Sequence, residues 1–157
     1  LIWPLNDDCI LYGPEAWDDL ILSGVRERQF ENKVYYINVG VSGHTDLYSP
    51  FPMLSKEAVK AMGYLHSPKL NTWGSDEVTW NIFNGLKNIH GLDRMINFRT
   101  AMTIVHLNCN GDIGDQAQRN MREGHEKNGG ITAGAFNTYG FYDEPIKKLK
   151  EAVDEGK

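Results

Sequence analysis

An α/β layered domain, a mixed sheet flanked by helices, is the fold class that this chain predicts, on three observations. Apolar and β-branched runs recur at residues 1–5, 34–39 and 95–107. Between them lie stretches whose apolar residues have helical spacing, and clusters of Gly, Pro, Asn and Asp separate the two kinds of segment. With 157 residues, 41% hydrophobic and 24% charged, the chain has the composition of one globular domain with a real core.

Leu1-Ile2-Trp3-Pro4-Leu5 reads as a buried strand ending in the tripeptide Asn6-Asp7-Asp8. Gly13-Pro14 introduces a helix, with proline suited to the first position and Trp17, Leu20, Ile21 and Val25 on one face, and Arg26-Glu27-Arg28 ends it. Val34-Tyr35-Tyr36-Ile37-Asn38-Val39 carries a strong strand signal that Gly40 breaks. Residues 40–54 are rich in turn formers and aromatics and read as an ordered loop. Ser55 is the expected N-cap of a helix from Lys56 to Met62 closed by Gly63.

Ser75 is the expected cap of the best helix, in which Val78, Ile82, Phe83, Leu86 and Ile89 recur until Gly91. Met95 to Leu107 reads as one or two strands. Residues 115–127 read as a very polar helix and Gly129-Gly130 as a hinge, and Ile146, Leu149 and Val153 mark an expected amphipathic C-terminal helix. The chain starts with Leu inside an apparent core strand, and so reads as a fragment, one domain over residues 1–157.

Composition excludes several functions. A net charge of −5 argues against a nucleic-acid binder acting through bulk positive charge. Cys9 and Cys109 lack CxxC spacing and read as thiols in a reducing compartment, so a cytoplasmic location is the default. No run approaches the ~20 apolar residues of a membrane span.

Asn6-Asp7-Asp8 crowds two carboxylates beside an amide oxygen, which suits either a hard cation such as Mg²⁺ or Mn²⁺ or a solvated Asx turn. His106 precedes a second polar cluster, Asn108 to Asp112. Asp76 and Glu77 sit in the first turn of a helix, where its dipole stabilises negative charge. Trp3, Tyr48, Phe51, Tyr64 and Trp73 offer flat faces for a sugar or simply fill a core. Arg119 and Arg122 could reach phosphates from the polar helix or lie on a solvated face.

In their order these residues resemble the later half, from metal motif to C-terminus, of the GT-A class of nucleotide-sugar glycosyltransferases. Asn6-Asp7-Asp8 resembles its DXD-type motif, although Asn takes the first place and the two acids are adjacent. The resemblance implies Mn²⁺ or Mg²⁺ held by Asp7, Asp8 and His106. It implies Asp76, with Glu77 as the alternative, as general base of an inverting transfer. Ser49 to Ser55 and Gly63-Tyr64 look like its acceptor region, which makes Tyr48, Phe51, Tyr64 and Trp73 candidates for the acceptor or sugar, and Arg119 and Arg122 for donor phosphate.

A nucleotide-sugar donor and a glycan or other hydroxyl acceptor are the implied partners. The nucleotide-binding half is expected to be missing, so the chain alone is expected to turn over poorly and, with an open sheet edge, to form a homo-oligomer. Two other functions fit the same residues. One is a metal-dependent phosphohydrolase, which would activate water. The other is a catalytically silent carbohydrate-binding module.

Overall fold

The computed structural model describes residues 1–5, 9–42, 48–70, 74–106 and 141–156, with His106 placed by its backbone alone. In chain order these residues form β1 (Cys9–Tyr12), α1 (Trp17–Glu27), β2 (Tyr36–Val41), β3 (Met53–Leu54), α2 (Lys56–Met62), α3 (Ser75–His90), β4 (Met95–His106) and α4 (Asp143–Asp154). The sheet order is β1-β4-β2-β3, with β2 and β4 parallel and the outer pairs antiparallel. The fold is therefore mixed α/β, as expected. Among the described residues no helix is long and apolar enough to cross a membrane.

All six residues of β2 are buried, because it is an internal strand covered on both faces. Strand alternation sends Tyr36 and its paired Leu54 into a cluster with Val78, Ile82, Phe83, Leu86 and Leu149, while Ile37, Val39 and Val41 join Ile21, Val25 and Ile104. Helices α2, α3 and α4 thus cover one face and α1 the other. Each aliphatic side chain fully buried there contributes about 1.5–3 kcal/mol of transfer free energy.

Helix α2 has the bounds its caps predict. Ser55 Oγ accepts the Ala58 N–H at 3.1 Å, and Gly63 closes the helix at φ 85°. The same oxygen accepts the Tyr35 N–H at 3.1 Å, so one buried hydroxyl ties α2 to the chain entering β2. Ser55→Ala is expected to cost about 1–2 kcal/mol, towards the upper end of the usual cap loss, because two donors are orphaned. Urea denaturation checks this as a lower midpoint with an unchanged slope.

The N-terminal run departs from expectation. Residues 1–5 form no strand, since Pro4 has no N–H to donate and Leu1 and Leu5 are 52% and 44% exposed; only Ile2 bridges to Leu54. The strand is Cys9–Tyr12, so Asn6-Asp7-Asp8 precedes a strand instead of following one. β1 is a sheet edge, and Ile10 and Tyr12 are exposed along it. Helix α1 starts at Trp17, after a turn at Glu15 and Ala16, with Asp18 and Asp19 in its first turn.

Gly74, at φ 88°, takes the N-cap position of α3 in place of Ser75, whose buried Oγ instead accepts the Ser67 N–H at 3.0 Å. Val78, Ile82, Phe83 and Leu86 are buried as the spacing predicts, but Ile89 is exposed, one turn beyond the covered part of the helix. Asp93 pins the turn from α3 into β4: it accepts from Lys87 at 2.9 Å and from the Met95 N–H at 3.2 Å. Burial pushes its carboxyl up, yet the Lys87 and Met95 hydrogen bonds and the Lys87 and Arg28 charges outweigh that and hold it below the usual range.

Gly40 does not end β2. The strand runs on to Val41, but its register on β4 jumps from Val39 opposite Phe98 to Gly40 opposite Thr103, so Arg99 to Met102 are skipped. A Cβ at Gly40 would lie 2.6 Å from the Arg99 carbonyl oxygen and 2.9 Å from that of Met102. Only glycine fits where β4 makes this excursion.

Candidate functional site

Helix α3 runs back towards the start of β4, so its first turn lies over the C-terminal side of the parallel pair β2 and β4. Loops beyond such strand ends are where α/β proteins gather binding residues. Asp76 and Glu77 occupy that first turn, half-buried. Their charges act on different tyrosines. The charge of Asp76 acts on the phenol of Tyr36 in β2, and that of Glu77 acts on the phenol of Tyr142 at the start of α4. Adjacent helical residues diverge by about 100°, so the two acids flank the buried stripe of Ser75, Val78, Thr79, Ile82, Phe83 and Leu86 on different sides.

Asp76, Trp80 and Phe83 form one stripe of α3 at i, i+4 and i+7. Trp80 meets the Tyr48 ring at 6.2 Å between centroids, and Phe83 meets Tyr36 at 5.4 Å. Tyr36 is wholly buried, and burial is the main reason its phenol is held far above the ordinary range. The Ser49 backbone favours the ionised form without reaching full hydrogen-bond geometry; Asp76 and Tyr48 oppose ionisation and Arg99 favours it. Alternation along β4 puts Arg99 on the face of Met95, the face that α3 covers. An acid, a guanidinium, a neutral phenol and an aromatic pair therefore share one region.

Comparison with family models, with curated proteins and with solved structures finds no match.

The other candidate residues fall in several places. Tyr64 is half-buried on the helix-covered face, where burial and then the nearby Glu144 raise its phenol. Phe51 is 7% exposed and packs in the cluster on the opposite face, and its carbonyl accepts the Trp3 indole N–H at 3.0 Å. Phe51 and Tyr48, three residues apart, are thus not on one surface. Asp7, Asp8, Trp73, Arg119 and Arg122 lie outside the described residues. No metal-binding group of three acidic, His or Cys side chains occurs among the described residues.

Sequence position and register bear on the ligand set all the same. Cys9, the residue after Asp8, pairs with His106 across the antiparallel β1 and β4. The backbone of His106 therefore lies opposite the residue that follows Asp8 in the sequence.

Trp80, Tyr36 and Arg99 were not singled out by the sequence. Trp80 had a usable signal, its i+4 spacing from Asp76. Tyr36 looks like any aromatic of a core strand, and Arg99 reaches the α3 side by the alternation of β4, which one charged residue in a strand-like run does not announce.

Proposed function

We propose that this chain is the metal-motif to C-terminal half of a GT-A-type glycosyltransferase, one that moves a sugar from a nucleotide-sugar donor to an acceptor hydroxyl with inversion. The observation that carries the reading is the place of Asp76 in the first turn of α3, one helical turn before Trp80, whose ring meets that of Tyr48 at 6.2 Å.

In this reading Asp76 accepts the proton of the acceptor hydroxyl as its oxygen attacks the anomeric carbon. The bond from that carbon to the diphosphate oxygen breaks in the same displacement, which inverts the centre. Tyr48 and Trp80 offer an aromatic wall against which a sugar ring can lie beside the base. Tyr64 belongs to the same side of the sheet, and Trp73 to the segment just before α3. A divalent cation on Asp7, Asp8 and His106 supplies neutralisation of the leaving diphosphate when bound. Arg119 and Arg122 stand as candidates for the donor phosphates.

Calorimetric titration tests the reading. A nucleoside diphosphate is expected to bind only when Mn²⁺ is present, and Asp8→Asn is expected to weaken that binding by at least about 10-fold, the usual scale of a lost metal contact. Binding of a glycan with no response to Mn²⁺ or nucleotide would instead make the chain a carbohydrate-binding module. Release of inorganic phosphate at the same metal would make it a phosphohydrolase.

A further inference from the structure

At the other end of the sheet, where α1 leads into β2 and α3 into β4, two arginines share one aromatic ring. Helix α1 closes in a left-handed turn: Gln29, at φ 55°, donates its N–H to the Arg26 carbonyl at 2.9 Å, and Phe30 donates to that of Val25 at 2.9 Å. This closure returns Phe30 to the cluster around Val25, where its ring is 6% exposed and lies nearly parallel to that of Tyr35 at 6.1 Å. The guanidinium carbon of Arg94 stands 5.0 Å from the centre of the Phe30 ring, and that of Arg28 stands 5.5 Å from it.

Their charges are not balanced. Asp93 gives one oxygen to Lys87 at 2.9 Å, and its other oxygen accepts the Met95 N–H at 3.2 Å and lies 3.6 Å from Arg28. Arg28 also donates to the Met95 carbonyl at 3.2 Å. Arg94 has neither an acid nor a hydrogen-bond acceptor for its side chain among the described residues; the Phe30 ring is its counterpart. Lys87, Arg28 and Arg94 thus gather about a single carboxylate, a local surplus of positive charge on a chain whose net charge is −5.

Arg94 is half-buried, and burial pulls its guanidinium below the ordinary range, although a guanidinium stays charged in proteins. An aromatic face offsets part of such a charge but leaves the in-plane N–H fork without acceptors. That fork matches the oxygens of a phosphate.

We propose that Arg94 is the centre of an oxyanion site for the dianion of a phosphate monoester: its free N–H fork takes two phosphate oxygens, while Arg28 and Lys87 supply the remaining balancing charge. Three cations against one carboxylate suit a dianion, and a phosphate monoester carries about −1.5 to −2 near neutral pH. The Phe30 ring is covered, so it offers no face to a base or a sugar, and recognition rests on the phosphate. The site is independent of the role given to Asp76, which lies at the opposite end of α3.

Nitrogen NMR of the arginine Nε–Hε groups in the full chain, titrated with methyl phosphate near neutral pH, tests the site. The Arg94 resonance is expected to move saturably, and sodium chloride at the same ionic strength is expected to leave it in place. By calorimetry, Arg94→Gln should weaken methyl phosphate binding by about 10-fold or more, the scale of a lost charge-assisted hydrogen bond. Lys69→Gln is the control, since Lys69 stacks on another ring, Phe141 at 5.4 Å, in the loop before α3, and its loss should change nothing.

A glycyl-phosphoseryl-glycine peptide that binds at least about 10-fold tighter than methyl phosphate would assign the ester to a phosphorylated chain, and equal affinities would assign it to a small molecule; the site stands in both cases. An Arg94 resonance that ignores methyl phosphate, or that follows chloride equally, overturns the site without any variant. Full phosphate affinity in Arg94→Gln overturns it as well. Loss of stability in that variant, with no phosphate binding by the parent, would leave Arg94 as a stacking residue alone.

Discussion

Asp76→Asn is expected to reduce turnover by about 10²–10⁴-fold while leaving the affinity for a nucleoside diphosphate with Mn²⁺ within roughly a factor of two. The amide keeps the size and the hydrogen-bonding reach of the side chain but cannot accept a proton at neutral pH. An interaction made only in the transition state lowers kcat without changing ground-state binding, so kcat carries the loss. Glu77→Gln is the comparison, since Glu77 lies about 100° further round the helix and its charge acts on Tyr142, and its loss should be far smaller. Rates from single-turnover transfer, set beside calorimetric affinities, separate the two effects. Near-normal turnover in Asp76→Asn would return this residue to the role of a helix-end charge.

Gly40→Ala is expected to destabilise the fold by about 1–3 kcal/mol, and by more if β4 cannot shift. Its Cβ would meet the Arg99 and Met102 carbonyl oxygens at 2.6 and 2.9 Å, and both are backbone atoms that no rotamer change can move. Gly13→Ala makes a fair control, because its nearest neighbour would be Met102 Cγ at 3.6 Å, an ordinary contact. Chemical denaturation of the two variants compares them directly. The Gly40 variant should also disturb the placement of Arg99, and with it the electrostatics around Tyr36. A Gly40→Ala protein as stable as the parent would show that the excursion in β4 is not held as described.

Local chemistry was readable from the sequence wherever it needed only near neighbours. Ser55 and Gly63 set both ends of α2, because a cap hydroxyl and a left-handed glycine act on residues within one turn. The 3.6-residue period marked the inward face of α3 as far as Leu86, and the β-branched run marked β2. The failures were of another kind. Leu1–Leu5 has the composition of a strand, but a strand requires a partner and free N–H groups. Residues 9–12 found the partner, in β4. Gly40 was a breaker by type and proved to be an accommodation to a strand 60 residues away.

By itself the sequence determined an α/β alternation, the bounds of its best-capped helix, and which acids stood at the head of α3. These follow from hydrogen bonds and side-chain spacings within a few residues, whose energies do not depend on the rest of the fold. Only the tertiary structure decided that Trp80 backs Tyr48, that Phe83 packs on the buried Tyr36 ring, and that β4 leaves β2 opposite Gly40. It also decided that the residue after Asp8 pairs with His106. Each of these depends on how α3 is rotated over β2, or on which strands pair, and both are settled by burial of long-range apolar surface that no window of the sequence contains.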